Sequence, residues 1–172
     1  MSFDLIAFSQ NSIIERDAAQ IESCNDISRE FGLTLTHSEA IELCRVKNTS
    51  LRAMGRVEFG GNIAEKLISA FCDSPYMNEE NYAGTLCALC EAFYYYKNET
   101  LDKLSDDELI EFMRESFNGN CKGSVDLMIS NNLEQLCRYV KSGTVPTLDE
   151  NGILTDETCG EGVGKGEGDA NE

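Results

Sequence analysis

Apolar residues recur every three or four positions along most of the first 143 residues, and six of the eight cysteines keep the same phase. That period places one face of each stretch toward a shared interior and gives an α-helical reading. It also decides how the cysteines are read. Cys24, Cys44, Cys72, Cys87, Cys90 and Cys137 occupy core positions of predicted helices, so they are expected to be mostly buried and inert, as small polarizable packing residues. Cys121, in the loop Asn118-Gly-Asn-Cys-Lys-Gly123, and Cys159 fall outside the phase. If any thiol in the chain reacts readily, it is expected to be one of those two.

The periodicity predicts a first helix from Asn11 to Glu30, stopped by Gly32. An extended stretch follows at Leu33–Leu35. Thr36-His-Ser-Glu39 then has the form of a capping box, in which the Thr hydroxyl takes a free amide of the first turn and the Glu reaches back. The helix it opens ends near Gly55. Asn62 can cap another over Ile63–Phe71, ended by Ser74-Pro75. A further helix is expected from Asn78 to Lys97, the most apolar part of the chain and so the centre of the core. Ser105-Asp-Asp-Glu108 is a second capping box, with acids complementing the helix dipole, and this helix closes at Asn118-Gly119. The last runs from Ser124 to Ser142-Gly143. The alternation in Arg56-Val-Glu-Phe59 allows one very short extended segment. The expected fold is all-α: a single compact domain of five to six helices over residues 1–143.

From Thr144 the composition changes. Residues 144–172 hold eight acids, one lysine and many glycines, with Ile153 and Leu154 the main large apolar residues. Such a stretch buries too little to offset the entropy of ordering it, so a disordered acidic tail is expected over 144–172.

The chain carries 31 acidic and 14 basic residues, a formal charge of −17, and no run of Lys or Arg. That balance repels nucleic-acid phosphates and anionic membranes, and neither is expected as a partner. Met1–Phe8 lacks the basic and long apolar regions of a secretory signal, and no apolar run reaches the ~20 residues of a membrane span. The expectation is a cytoplasmic protein with reduced thiols.

Cys87-Ala-Leu-Cys90 is the one CxxC pair. A zinc site would need two more ligands, and the chain offers one histidine, His37, and no second pair. A redox role would place the first cysteine at a helix N-terminus, whereas Cys87 lies about two turns inside. A thiol-based metal or redox function through Cys87 and Cys90 is therefore the alternative reading, and packing the leading one. Phe93-Tyr-Tyr-Tyr96 points its four rings in nearly all directions around a helix, so some are expected in the core and others at a protein contact.

Gly60-Gly61 precedes a helix and could hold an anion with Arg56 or Lys66, but no P-loop Gly-Lys-Ser/Thr follows. Asp149-Glu-Asn-Gly152 lacks the outer carboxylates of a calcium loop. His37 is expected to be exposed. Acidic pairs such as Glu79-Glu80 and Asp106-Asp107 are expected to be charged helix faces. None of the searched catalytic signatures is present, so no catalytic, cofactor-binding or metal-binding residue is assigned and no cofactor is expected.

Five strings together resemble an uncharacterised family of small bacterial proteins, a domain of unknown function. They are Gly55-Arg-Val-Glu-Phe-Gly-Gly61, Phe71-Cys-Asp-Ser-Pro-Tyr76, Lys97-Asn-Glu-Thr-Leu-Asp102, Ser105-Asp-Asp-Glu-Leu-Ile-Glu-Phe-Met113 and Phe117-Asn-Gly-Asn-Cys-Lys-Gly-Ser124. The likeness covers about residues 1–142 and implies a bacterial cytoplasmic helical domain, with no site residue to transfer. The expected function is a non-catalytic interaction or adaptor domain whose partner is another protein.

Overall fold

In a computed structural model of the chain, residues 2–58, 63–144, 146–149 and 154–155 are described, the side chains of 2–11 and 147–148 apart. The order is α1 (Ser2–Ser23), α2 (Asn25–Ser28), a 3₁₀ turn (Arg29–Phe31), α3 (His37–Ala53), α4 (Ile63–Phe71), α5 (Tyr82–Glu99) and α6 (Asp106–Asn118). Then come α7 (Val125–Leu127), a π-helical turn (Met128–Leu133), α8 (Glu134–Ser142) and a two-residue antiparallel ladder. In the ladder β1 (Thr147–Leu148) pairs with β2 (Leu154–Thr155), Thr147 opposite Thr155. Six of these helices run nine residues or more, so the fold is all-α as expected.

Both capping boxes form. The Thr36 hydroxyl accepts from the Glu39 amide while the Glu39 carboxylate accepts from the Thr36 amide, and Ser105 and Glu108 repeat the exchange. Other boundaries differ, each for a local reason. The first helix starts nine residues earlier than expected and breaks at Cys24. There the Cys24 amide bonds back to Ile21, and the next residue, Asn25, turns its side chain to the backbone of Leu35. Gly32 ends the following turn in a left-handed conformation (φ 75°), which glycine adopts without a Cβ clash. α5 opens at Tyr82, because the Asn78 side chain first caps a separate turn through the amides of Glu80 and Asn81.

Residues 56–58 are irregular and form no strand, while Phe59 and the Asn62 cap lie outside the described residues. At the start of α4, the Glu58 carboxylate accepts from the Ile63 amide at 2.9 Å. The ladder falls inside the segment expected to be a disordered tail. It is held there because Pro146 is buried and Leu154 packs on the formed core. The chain beyond Thr155 lies outside the described residues.

α5 lies at the centre, against α3, α4, α6 and α7. Leu86, Leu89, Cys90 and Phe93 are buried along it, and Phe71, Leu109, Met113 and Phe117 close on it from α4 and α6. Phe117 meets Phe71 edge-on at 5.4 Å and Tyr76 at 6.4 Å, the favourable arrangement for ring quadrupoles. No helix among the described residues is long and apolar enough to cross a membrane.

Candidate functional site

The tyrosine run at 93–96 divides as helix geometry requires. Phe93, Tyr94 and Tyr96 are buried, while Tyr95 is 47% exposed. Its ring packs edge-on against Tyr96 at 5.0 Å, which fixes it over a groove of about 540 Å³. α3 supplies one wall through Ser50, Ala53 and Met54. α5 supplies Glu91, Ala92 and Tyr95, and the π turn closes the end with Ile129. The floor is apolar. Two carboxylates stand on the rim, Glu91 and Glu134, and of these Glu134 meets Arg138 at 3.8 Å.

The π turn was the least legible part of this wall. Its cause is a buried amide: Asn132 donates to the Ser116 hydroxyl at 3.0 Å and to the Asn120 carbonyl at 3.2 Å. Seating Asn132 and Leu133 inward together needs a turn one residue wider than an α-turn. The signal in the sequence is the five-residue step from Met128 to Leu133, both fully buried, in a stretch otherwise spaced by three and four. Wide turns of this kind occur disproportionately at functional positions.

Behind the groove a polar network ties three helices together. The Tyr94 hydroxyl donates to Glu58 at 2.7 Å, and burial together with that bond pushes the phenol far above its ordinary range. Lys47 of α3, only 7% exposed, stands 3.9 Å from Glu58 and 3.8 Å from Asp17 of α1. Next to it Arg56 grips Asp102 with both guanidinium arms, and Lys97 meets Asp106 at 2.9 Å. The five strings that carry the family resemblance thus fall into two clusters. Those at 55–61, 97–102 and 105–113 meet through Arg56, Lys97, Asp102 and Asp106. Those at 71–76 and 117–124 meet through Phe71, Tyr76 and Phe117, with the Ser74 hydroxyl donating to Asn118 at 2.5 Å.

The structure separates the other candidate residues. Cys90 is fully buried and Cys87 half-buried, and burial pushes their thiols up to about 12 and about 11. A metal or redox role needs the thiolate, which these surroundings disfavour. Among the described residues no three His, Cys, Asp or Glu side chains stand where they could share a metal ion. Cys121 corrects the expectation of a reactive loop thiol: it is 2% exposed, with its thiol facing Asn120 and Asn132 and its pKa raised by burial. Being out of helical phase does not expose it, because the loop folds back under α6. Cys24, expected in the core, is half-buried instead.

Cys159, Gly60-Gly61 and most of Asp149–Gly152 lie outside the described residues. The cations named with the glycine pair are engaged elsewhere, Arg56 with Asp102 and Lys66 with Asp107 at 2.7 Å. His37 is exposed as expected, yet it bridges two carboxylates of α1: Nδ1 lies 2.7 Å from Glu22 and Nε2 3.0 Å from Glu15. Those partners lie 15 and 22 residues away, beyond the reach of local spacing rules.

The sequence profile of a family of unknown function, DUF6323, matches residues 20–146. No curated protein and no solved structure matches the chain.

Proposed function

The chain belongs to that family of unknown function, and from its surface we propose that it is a non-catalytic adaptor whose partner is another protein. The observation that carries this reading is the Tyr95 groove: an apolar floor with one half-exposed tyrosine packed edge-on against its neighbour and carboxylates on the rim. A ring of this kind contributes large contact area at small entropic cost, which is why tyrosine dominates binding hot spots.

Charge selects the occupant. Glu91 has no ion-pair partner among the described residues, and the whole chain carries −17. The fitting partner is an amphipathic helix that lays an apolar stripe beside Tyr95 and sets a Lys or Arg against Glu91. The same charge disfavours nucleic acid and anionic membrane. The seven described cysteines are all free thiols, which is compatible with the reducing, cytoplasmic setting proposed for the adaptor. No observation favours the Cys87 and Cys90 metal or redox alternative.

A photo-crosslinking residue at position 95 tests the reading, with the same residue at the exposed position 79, before α5, as control. A covalent partner captured from 95 and not from 79 should engage through a basic amphipathic segment. Its synthetic peptide should bind about tenfold or more weakly to Tyr95→Ala, whose melting is unchanged. A peptide that binds both forms equally, or capture only of a second copy of this chain, would overturn it.

A further inference from the structure

A second cavity lies on the opposite side of α3 from the Tyr95 groove, where α3 faces α1. It measures about 610 Å³, within the usual range for a small-molecule site. Its lining gathers Arg16, Arg45, Lys47, Arg52 and Arg56, five of the 14 basic residues in a chain of charge −17. Asp17 and Glu58 line it too, and Arg16 pairs with Asp17 at 3.3 Å, so cations outnumber carboxylates here against the balance of the whole chain.

Lys47 supplies the sharper observation. It is 7% exposed, and its nearest carboxylate oxygens stand at 3.8 and 3.9 Å, beyond hydrogen-bond distance. An ammonium has three donors, and no hydrogen bond from Lys47 forms among the described residues. Its stem is buried while the ammonium faces two carboxylates at ion-pair range, so donors remain for a further acceptor in the cavity. Glu58 is held in place by the Ile63 amide on one oxygen and the Tyr94 hydroxyl on the other.

The neighbouring cations are similarly available. Arg52 forms no salt bridge among the described residues, and Arg45 reaches only Glu42, at 3.5 Å on an exposed surface. Arg45 and Arg52 stand seven residues apart, two turns along one stripe of α3. Arg56 is committed to Asp102 and is left out. Ile14, Leu51 and Val57 complete an apolar side.

We propose that this cavity binds a small, multiply charged organic oxyanion. Lys47 takes the head group at the base, Arg45 and Arg52 clamp it from α3, and Ile14, Leu51 and Val57 cover the body of the molecule. Guanidinium forks fit phosphate and carboxylate oxygens alike, so the shared chemistry is the oxyanion head.

Calorimetric titration of the full chain at constant ionic strength decides it, using pyrophosphate, citrate and a short single-stranded oligonucleotide as probes. Saturable binding of pyrophosphate or of citrate is expected, and whichever binds tells a phosphate head from a carboxylate one. Arg45→Gln with Arg52→Gln alters two surface side chains and should weaken it by about tenfold or more, from the loss of charge-assisted hydrogen bonds. Lys47→Met should abolish it, and Arg138→Gln, a surface change on α8, should leave it intact. No saturable binding of either small anion would overturn the proposal. So would equal weakening by Arg138→Gln, unchanged affinity in the double variant, or an oligonucleotide that binds as tightly as the small anions. Tyr95→Ala should not change this titration, so the two sites fail independently.

Discussion

The Asn25 side chain closes two hydrogen bonds with the backbone of Leu35, its amide donating to the carbonyl and its own carbonyl accepting from the amide, both at 2.8 Å. A single side chain thereby imitates a strand neighbour for the extended segment that leads into α3. Leu35 is 4% exposed, so water cannot replace either bond. Asn25→Ala should cost about 2 to 4 kcal/mol in urea unfolding, the expected penalty for stranding one buried donor and one buried acceptor. Asn25→Asp should lose stability relative to the parent at neutral pH and recover part of it in acid, where the protonated carboxyl can donate again. Equal stability of Asn25→Ala and the parent would show the bonds to be replaceable.

His37 should hold its proton to higher pH than an ordinary imidazole. The hydrogen bond and charge of Glu22 raise its pKa above 6.5, desolvation opposes them, and Glu15 adds a lesser upward push. A group whose pKa is higher in the folded state stabilises the fold fully below its unfolded value, and that contribution fades as pH rises through the folded value. The clasp between α1 and α3 should therefore loosen as pH climbs through and beyond 6.5. As the one histidine in the chain, its ring resonances can be titrated by NMR without assignment. A midpoint at or below 6.5, or a stability profile unchanged in His37→Gln, would contradict the clasp.

Gly123 sits at φ +82°, and a Cβ there would come within 2.5 Å of Tyr76 Cβ. Gly123→Ala adds left-handed strain to a clash that no rotamer relieves. A loss of about 2 to 4 kcal/mol in thermal or urea unfolding is expected. Tyr76 also packs on Phe117, so the aromatic near-ultraviolet signal should change with it.

How much of this was legible in the sequence follows the range of each interaction. Both capping boxes, the stop at Gly32 and the core phase of Cys44, Cys90 and Cys137 are set by residues within one or two turns. Asn25 with Leu35, His37 with Glu22 and Arg56 with Asp102 join residues 10, 15 and 46 apart, and periodicity carries no trace of such partners. Of the Tyr95 groove, the aromatic run could be read but not which ring would be left outside, since that depends on where α3 crosses α5. The cation-lined cavity was invisible, because Arg16 and Arg45 become neighbours only once α1 lies along α3. Cys121 shows the opposite error, a loop residue taken as accessible that tertiary packing covers.

Leu101 and Asp102 both adopt left-handed backbone, at φ 54° and 56°. Asp102 is held there by Arg56, but Leu101 is 67% exposed and gains nothing visible in exchange for the strain. Leu101→Gly should be neutral or stabilising by up to about 1 kcal/mol, strain relief being partly offset by the greater freedom of glycine in the unfolded chain. Leu101→Val should fall about 1 kcal/mol below the parent, since branching at Cβ worsens the clash. The order Gly, Leu, Val in melting temperature is the test, and any other order contradicts a strained turn.

Thiol labelling of a Cys159→Ser protein should be slow in the native state and complete on unfolding. Burial raises Cys44 and Cys137 to about 11 and Cys90 to about 12, leaving almost no thiolate at neutral pH. Cys24 and Cys87, the two half-buried thiols, should be the first to react. Rapid labelling of Cys121 would mean that its loop opens in solution.

The π turn in the last helix has a consequence for how this protein can vary. An extra residue in an α-helix would rotate everything downstream by about 100° relative to everything upstream, and the wider turn absorbs that rotation. Ile129, which lines the groove, and Leu136, Cys137 and Val140, which are buried, therefore keep their faces along one continuous rod although five residues separate Met128 from Leu133. Removing a single residue from the exposed pair Ser130-Asn131 would straighten the turn and leave Met128 and Leu133 four apart, still on one face, with α8 in its socket. The turn works as slack in the rod, a place where the chain can shorten by a residue without turning either surface away from what it meets.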